Sequence, residues 1–384
     1  MQALVSTALG EWAVQHRRHL HQYPELSGEE HLTHAYIKRQ LEELSIPILD
    51  FAAPSVVGLV RGTEGSKTIA LRADIDALPV MEEGQKVYQS KVPGVSHACG
   101  HDGHTAVLLA VAKWLAENRS DLKANVLLIF QSSEERDPSG ATALINQGVL
   151  DGVDAIFGIH LWQPLEKGKI GVCHGSMMGA CDEFTITIEG KGGHGAMPHD
   201  AVDPIFIAGQ IVSGLQSVVS RAISPLQPAV LTVGKVEAGS TYNIIPNEAV
   251  MLGTTRSLTQ ETRQRIFTQM QSIVEGVSAS FGAVGTIEYS WGPPPLVNDR
   301  VQSRYVERVV VEAFGESFYA ADMEPTMAAE DFAYYLEHCP GAFVFVGMGG
   351  ERSAYPHHHP RFDIDEDAIP TAIELFIQLI RRFS

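Results

Sequence analysis

The sequence predicts an α/β protein whose central, mostly parallel sheet is interrupted by a smaller β-α-β-β-α-β domain. Over the first 180 residues, apolar strand segments alternate with helical periodicity, which is typical of a parallel sheet. Between residues 181 and 291, strands of alternating apolar and polar residues surround two helical segments, which indicates a four-stranded antiparallel sheet with two helices on one face. We therefore expect one domain from 1–180 and 292–384, and an inserted domain over 181–291.

Each element of the first domain follows from a local pattern. We predict helical structure over residues 1–45, broken at Tyr23–Gly28, with SGEE as a helix start in which Ser27 is a possible cap and Glu30 follows three residues later. We also predict strands Thr68–Leu71 and Val126–Phe130, and a strand ending at His160. A strand at FVFVGMG and a helix at the C-terminal end complete this domain. Because ligands bind beyond the carboxyl ends of strands in open α/β sheets, the polar residues that follow these strands are the first candidates for a site.

The inserted domain is predicted from six consecutive segments. They are the strand DEFTITIEGKGG, a helix over about 204–223, the strands AVLTVGKVEAG and NEAVMLGTTRSL, a helix over about 260–280 and the strand GTIEYSWG. The run WGPPPLVND marks the return to the first domain. About 110 residues is an ordinary size for a separate domain.

Composition excludes several classes of function. The 384 residues include 28 Lys and Arg against 46 Asp and Glu, a formal charge of −18, so a nucleic-acid or anionic-membrane partner is disfavoured. The four cysteines show neither a C-x-x-C pair nor the spacing of a disulfide scaffold, which favours a reducing compartment. The sequence indicates neither a signal peptide nor a membrane span, so we expect a soluble, cytoplasmic protein.

The segment from His97 to His104, HACGHDGH, contains candidate metal ligands. Thiolate and imidazole both bind zinc and similar divalent ions, and Cys99 and His101 alternate in a short loop. A loop with capping histidines and a buried cysteine is the alternative. A second candidate is the pair Glu134 and Glu135, which could supply one ligand and one general base, or form an exposed acidic turn.

Four further segments are ambiguous when taken alone. His160 follows an apolar strand, where a hydrogen-bonded core histidine is commoner than a ligand. Asp74 and Asp76 could be ligands, partners of a ligating histidine, or caps. The three histidines His357–His359 precede a proline, and His194 lies in a glycine-rich segment of the inserted domain.

The order of these segments resembles the N-acyl-amino-acid amidohydrolases of the hippurate hydrolase and indole-acetyl-amino-acid hydrolase type. This group belongs to the larger aminoacylase and zinc-carboxypeptidase family. The segments that bear the resemblance are RRHLHQYPELSGEE, ADIDALP, HACGHDGH, the glutamate pair, GIHLW, GKGGHGAMPH, NIIPNEA, GTTRSL, AAEDFAYY and HHPRFD. They extend over essentially the whole chain.

The resemblance implies a centre of two divalent metal ions with Glu134 as the general base. The implied ligands are Cys99, His101, Glu135, His160 and His358. His358 is chosen among the three histidines because the family's ligand lies two positions before the proline, here Pro360. Zinc, manganese, nickel and cobalt all remain open as the metal.

The resemblance also implies roles for residues around the metals. Asp76 matches an aspartate that orients a ligand, and Asp74 stands where the peptidase branch of the family has a histidine ligand. His194 matches a histidine that hydrogen-bonds the oxyanion, often from the partner subunit of a dimer. Asn243 and Arg256 match residues that bind the substrate carboxylate or the oxyanion. Glu330 lies near the site in relatives, without a role that follows from the sequence.

The expected activity is metal-dependent hydrolysis of N-acyl-L-amino acids to a carboxylic acid and a free amino acid. The expected fold is a zinc-peptidase-like catalytic domain with a ferredoxin-like lid or dimerisation domain, assembled as a homodimer or homotetramer. We expect hinge motion near residues 180 and 291. The alternatives are a di- or tripeptidase of the same fold and a non-enzymatic metal or small-molecule binding protein. D-x-D at Asp74 disfavours the first alternative, and Glu134 disfavours the second.

Overall fold

The computed structural model describes residues 4–65 and 67–383. The strands are β1 (Ile48–Leu49), β2 (Val56–Val60), β3 (Thr68–Asp74), β4 (Asn125–Gln131), β5 (Ala155–Glu166), β6 (Ile170–Gly171), β7 (Ser176–Met178), β8 (Ala180–Glu189), β9 (Gly193–His194), β10 (Ala229–Ala238), β11 (Ile244–Ile245), β12 (Glu248–Ser257), β13 (Val284–Trp291), β14 (Leu296–Val297) and β15 (Gly341–Gly349). The α-helices are α1 (Thr7–Gln22), α2 (His31–Glu43), α3 (His101–Glu117), α4 (Gly140–Asn146), α5 (Pro204–Ser217), α6 (Gln260–Ser280), α7 (Arg300–Phe314), α8 (Phe332–Leu336) and α9 (Ile369–Arg382).

A seven-stranded sheet has the strand order β1-β2-β4-β3-β5-β15-β6. The pairs β4–β3, β3–β5 and β5–β15 are parallel, and the pairs toward the two edges are antiparallel. Every residue of β3 and β4 after the first is buried, as expected for parallel strands that are covered on both faces. The prediction of a mostly parallel sheet is confirmed.

Strand β5 is longer than its sequence pattern indicates. It does not end at His160 but continues to Glu166. Beyond His160 it keeps its pairing with β15, with Leu161 opposite Val346 and Trp162 opposite Gly347. The predicted end was wrong because this pairing with a strand far along the chain holds the backbone extended.

The predicted helix start at Ser27 is also wrong. Helix α2 begins at His31, and its first turn is capped by Glu25, whose carboxylate accepts the Thr33 backbone N–H at 2.8 Å. The Ser27 hydroxyl instead donates to the Asp76 carboxylate at 2.7 Å. A serine followed by a glutamate three residues later therefore has a use here other than capping, which local sequence does not reveal.

Helix α3 is buried along nearly its whole length and packs against α1 and α9. It begins directly at His101, so only Gly100 separates the helix from Cys99. Gly100 has a φ of 95°, in the left-handed region that glycine adopts without strain. This sharp turn presents Cys99 and His101 from adjacent parts of one short segment.

The chain forms two compact units. The second unit comprises Ser176–Leu296 and Pro325–Ala333, and the first comprises the other described residues. The second unit contains an antiparallel sheet in the order β10-β12-β8-β13, with α5 and α6 packed on it. In β8 the alternating residues Phe184, Ile186 and Ile188 are buried, as its sequence pattern predicts. The predicted smaller β-α-β-β-α-β fold is confirmed, while the bounds 181–291 of the inserted domain and its role as a lid or dimerisation domain stay predictions.

One helical stretch, Pro204–Ala222, is long and apolar enough to span a membrane, by length and composition alone. The sequence pattern predicts no membrane span here. Its residues Ile207, Ile211 and Leu215 are buried in the core of the second unit. Packing against the sheet of that unit accounts for these apolar side chains.

Candidate metal centre

Parallel strands bring polar residues to one edge of the first unit's sheet. Asp74 ends β3, Glu134 and Glu135 follow β4, and His160 lies within β5. Strand β3 pairs in parallel with both β4 and β5, so the carboxyl ends of the three strands are adjacent. His101 at the start of α3 joins this group.

Two groups of potential metal ligands share the sulfur of Cys99. The first is Cys99, His101 and His160, and the second is Cys99, Glu135 and His358; in each group the ligand atoms lie within 4.8 Å of one another. The Cys99 Sγ lies 3.5 Å from His160 Nε2. The His358 Nε2 lies 3.2 Å from Glu135 Oε1. The structure thus brings together all five residues that the resemblance implies as ligands.

Two of these histidines have one ring nitrogen fixed by the protein. The His101 Nδ1 donates to the Asp76 backbone oxygen at 3.0 Å and to its carboxylate at 3.1 Å. The His160 Nδ1 donates to the Leu161 backbone oxygen at 2.9 Å. With the proton held on Nδ1, the lone pair of Nε2 is available to a metal, which is the usual arrangement of ligating histidines.

Buried atoms without hydrogen bonds indicate where cations would lie. Among the described residues, His101 Nε2 and Glu135 Oε1 are buried and have no hydrogen-bond partner, and the one close group of opposite character beside Glu135 Oε1 is the proposed ligand His358, whose Nε2 lies 3.2 Å away. His101 Nε2 and Glu135 Oε1 lie 3.9 Å apart. Burying such groups is costly unless a cation or donor satisfies them. The thiol, imidazole and carboxylate groups present are ligands that zinc and related divalent ions accept, so the residues fit a metal pair.

The pKa values show which protons a metal would displace. Burial raises the pKa of the Cys99 thiol well above its usual range, and the carboxylates of Glu135 and Glu134 raise it further. Burial lowers the pKa of His101, but Asp74 and Asp76 outweigh this effect and raise it to about 10. Since metals bind the thiolate and the neutral imidazole, metal binding competes with both protons.

Glu134 lies beside the ligand groups. Its Oε2 is 3.9 Å from His101 Nε2, and its side chain is only 10% exposed. Glu134, Glu135 and His101 form a further group with ligand atoms within 4.8 Å. Glu135 alone of the two glutamates belongs to the group with Cys99 and His358. This difference matches the assignment of Glu135 as a ligand and leaves Glu134 adjacent to the centre.

Asp74 is held by positively charged and hydrogen-bonding groups of the protein. Its carboxylate accepts hydrogen bonds from Arg72 Nη1 and His104 Nδ1, each at 2.7 Å. His104 Nε2 in turn accepts the Leu161 backbone N–H at 2.9 Å. Both nitrogens of His104 are therefore occupied, and Asp74 orients a histidine that fixes the backbone next to His160.

Asp76 connects three segments around the centre. One carboxylate oxygen accepts from His101 Nδ1, while the other accepts the Glu135 backbone N–H at 3.0 Å and the Ser27 hydroxyl. Burial raises the pKa of Asp76, but the hydrogen bonds and charge of His101 outweigh it, so its pKa lies below the usual value. The structure agrees with a role for Asp76 in orienting a ligand.

The three consecutive histidines have different surroundings. His357 donates through Nε2 to the Leu161 backbone oxygen at 3.1 Å and stacks on Trp162. His359 accepts the Arg361 backbone N–H through Nδ1. His358 has its Nε2 beside Glu135, and its backbone N–H donates to the Ala98 oxygen at 2.8 Å, next to Cys99. Of the three, His358 alone belongs to a ligand group of the described residues.

The sequence predicts no specific role for His104 or Arg72, and for Glu30 it predicts only a place in a helix start. His104 lies three residues after His101 in a helix, a spacing that places both on one face. Arg72 is an arginine within the apolar strand TIALRAD, and its complete burial requires paired partners. The spacing of His104 and the position of Arg72 within an apolar strand are both visible in the sequence. The contacts of Glu30, in contrast, depend on the folded chain.

The second unit places His194 and Asn243 on one surface. Strand β9, which contains His194, pairs with β11, and both residues line a depression of about 570 Å³. The His194 Nδ1 accepts the Ala196 backbone N–H at 3.0 Å. Arg256 lies in β12, bonds to the Thr255 backbone oxygen and does not line this depression.

Glu330 also belongs to the second unit. Its carboxylate accepts the backbone N–H of Phe332 at 3.0 Å, and its side chain is buried. This contact stabilises the start of a short helix. It supplies a structural role for a residue whose function did not follow from sequence.

Residues 70–382 match the model of the family described as Peptidase family M20/M25/M40. The chain is 44% identical over 367 residues to N-acetyl-L-cysteine deacetylase of Bacillus subtilis, covering 95% of this chain and 86% of that protein. It is also 44% identical over 285 residues to N-acyl-L-amino acid amidohydrolase of Geobacillus stearothermophilus, covering 73% of this chain and 76% of that protein. The chain belongs to the M20/M25/M40 family, and the resemblance inferred from its motifs is confirmed.

A solved structure agrees with this assignment. The YXEP protein of Bacillus subtilis, described as a dinuclear metal binding peptidase of the M20 family, has a TM-score of 0.86 with this chain. The two are 37% identical, and the match covers 98% of each chain. Together with the ligand groups, these similarities define a hydrolase of amide bonds with a site for two divalent metal ions.

Proposed function

We propose that this enzyme hydrolyses N-acyl-L-amino acids at the amide bond, releasing a carboxylic acid and a free amino acid. The observation that supports this most directly is the pair of ligand groups sharing Cys99, with the Glu134 carboxylate beside them. The names of the two relatives above, a deacetylase and an amidohydrolase of N-acylated amino acids, support the substrate class. We propose zinc, manganese, nickel or cobalt as the metals, because a site with one thiolate accepts any of them.

In the proposed reaction, the metal ions and the side chains of the protein have separate roles. The bound ions would lower the pKa of a water molecule and polarise the scissile carbonyl group. Glu134 would remove a proton from that water and return it to the nitrogen of the leaving amine. Cys99, His101, Glu135, His160 and His358 would hold the ions. Asp76 orients His101 through its Nδ1–H, so its hydrogen bond supports this arrangement.

We propose His194 as a donor to the oxyanion formed when water adds to the carbonyl. The hydrogen bond from Ala196 to Nδ1 supports this role, because neutral His194 then has its proton on Nε2. Asn243, which lines the same depression, would bind the substrate carboxylate or the oxyanion. Arg256 is proposed for the same task by resemblance, and a guanidinium suits a carboxylate.

The test is an assay of the purified protein loaded with manganese or zinc. The panel should contain N-acetyl, benzoyl and indole-acetyl amino acids beside dipeptides and tripeptides. We expect turnover of at least one N-acyl amino acid and much slower cleavage of the peptides. Faster turnover of the peptides would favour the peptidase alternative. Glu134→Gln should lose at least a thousandfold in kcat with two metals still bound, and an active variant would contradict the assignment of the base.

We also propose a homodimer or homotetramer formed through the second unit, in the cytoplasm. Strand β10 lies at the edge of the sheet of that unit. Val236 in β10, and Ile205 and Phe206 in α5, each expose about half of their side chain. Exposed apolar side chains and a free sheet edge are typical of protein interfaces. Analytical ultracentrifugation tests this proposal, and a monomer at micromolar concentration would contradict it. Cell fractionation tests the location.

A further inference from the structure

The turn that contains Glu134 has an unfavourable backbone conformation. Ser133 has a φ of 51°, in the left-handed region that residues with a Cβ rarely adopt. It is buried and directly precedes Glu134. Such a conformation persists only where surrounding contacts hold it, and it is commonest at functional sites. The contacts that hold this turn therefore determine where the Glu134 side chain begins.

Two buried carboxylates hold the turn on either side of Glu134. The Ser133 backbone N–H donates to Glu30 Oε1 at 2.8 Å. The Glu135 backbone N–H donates to Asp76 Oδ2 at 3.0 Å. Both carboxylates are completely buried. Glu134 is thus flanked by two backbone amides that are each fixed by a charged or polar acceptor, an arrangement stronger than that of an ordinary turn.

Both acceptor carboxylates involve one segment, residues 25–30, within the motif YPELSGEE: one belongs to this segment, and the other is hydrogen-bonded to it. Glu30 belongs to this segment, and Ser27 donates its hydroxyl to Asp76 at 2.7 Å. Leu26 forms a parallel bridge with Ala77, next to Asp76. The segment is therefore docked against the loop after β3 and reaches the turn after β4.

Glu30 has features that packing alone does not explain. Its Oε2 is buried and has no hydrogen-bond partner among the described residues. Burial raises the pKa of Glu30 to about 7, against the opposing effect of the backbone N–H groups that it accepts. A buried carboxyl group that is only half satisfied is unfavourable for folding. What the carboxyl group supplies in return is the acceptor for the buried Ser133 backbone N–H, at 2.8 Å.

We propose that Glu30 is a positioning residue that sets the direction of Glu134 by holding the backbone amide of Ser133. The proposal rests on the proposed role of Glu134 as the general base. A base must lie within hydrogen-bond reach of the proton that it removes, so a shift of about 1 Å in the turn lowers the rate strongly. Glu30 itself touches neither the substrate nor the metals in this proposal.

Three substitutions at Glu30 separate its roles. Glu30→Met fills a similar volume without an acceptor, and Glu30→Gln keeps an acceptor oxygen. We expect Glu30→Met to lower kcat about tenfold to a hundredfold, with an unchanged KM and two bound metals. Glu30→Gln should retain a kcat close to that of the original protein. Glu30→Asp, which withdraws the acceptor by one methylene group, replaces Glu30→Met if that variant does not fold. Glu29→Met at the exposed neighbouring position is the matched control.

Two further measurements exclude a merely structural effect. Amide hydrogen exchange in the peptide that contains Ser133 should become faster in Glu30→Met and not in Glu30→Gln. In a Glu134→Gln background, adding Glu30→Met should lower kcat no further, because both changes act through the same carboxylate. Full kcat in Glu30→Met, or equal losses in the Met and Gln variants, would overturn this proposal alone. An active Glu134→Gln would instead overturn the proposed function.

Discussion

The guanidinium of Arg17 donates to the carboxylate of Asp102 at 2.7 Å, and neither side chain is exposed. Asp102 directly follows His101 in α3, so this pair is adjacent in sequence to a proposed ligand. The same guanidinium contacts Asp363 at 2.5 Å and Glu366 at 3.2 Å, in the segment after the three consecutive histidines. Arg17 therefore connects the start of α3 with the chain that follows another proposed ligand.

Replacing Arg17 should destabilise the protein strongly. In Arg17→Gln the buried Asp102 carboxylate loses its guanidinium partner and keeps the His21 ring at 2.7 Å, and breaking a buried ion pair typically costs about 3–5 kcal/mol. The neighbouring Arg18 also contacts Glu366, but its side chain is 48% exposed, so Arg18→Gln should cost about 0–1 kcal/mol. Urea denaturation of both variants measures the difference. Equal losses of unfolding free energy in the two variants would contradict this account.

Stability should fall in acid partly because of Glu82. Burial raises the pKa of Glu82, but hydrogen bonds from His21 and Lys86 outweigh it and lower the pKa to about 2. A carboxylate with a lowered pKa stabilises the fold above its unfolded pKa, here 4.5, and this contribution disappears as the pH falls toward about 2. Glu82→Gln should therefore show a smaller loss of unfolding free energy than the original protein between pH 5 and 2. Parallel stability profiles would refute the assignment.

Local sequence patterns predict the elements of this fold better than their ends. Alternation in β8 and apolar runs in β3 and β4 identify the two sheets, because burial on one or both faces leaves a periodic signal. The end of β5 depends instead on pairing with β15, in which Leu161 lies opposite Val346, 185 residues later in the chain. A pattern read in a short window does not contain such a partner.

The same limit applies to the site. Cys99 and His101 are recognisable because both ligands lie in one short motif, and the resemblance supplied the other three. Ser27 and Glu30 were interpreted as a helix start because that is the commonest local use of their spacing. Their actual contacts are with Asp76 and Ser133, which are 49 and 103 residues away. Contacts of this range require the folded structure or many related sequences.

Metal binding should release protons and strengthen as the pH rises. Asp74 and Asp76, acting against burial, raise the pKa of His101 to about 10, and the Cys99 thiol has a pKa well above its usual range. Both groups are therefore protonated near neutral pH before metal binds, and both must lose a proton to become ligands. Calorimetric titration of the metal-free protein with zinc in buffers of different ionisation enthalpy counts the protons. Release of fewer than one proton per protein would contradict the ligation of Cys99 and His101.

The number of bound metal ions should distinguish His358 from the neighbouring His359. His358 has a φ of 67°, a conformation that asparagine tolerates better than most residues, so His358→Asn removes the imidazole with little added strain. We expect this variant to bind clearly fewer than two metal ions, because the group with Cys99 and Glu135 loses a ligand. The matched control is His359→Asn, since His359 is only partly buried and belongs to no ligand group of the described residues; it should keep both ions. Elemental analysis after dialysis measures the stoichiometry. Full occupancy in His358→Asn with a loss in His359→Asn would move the ligand to the neighbouring position.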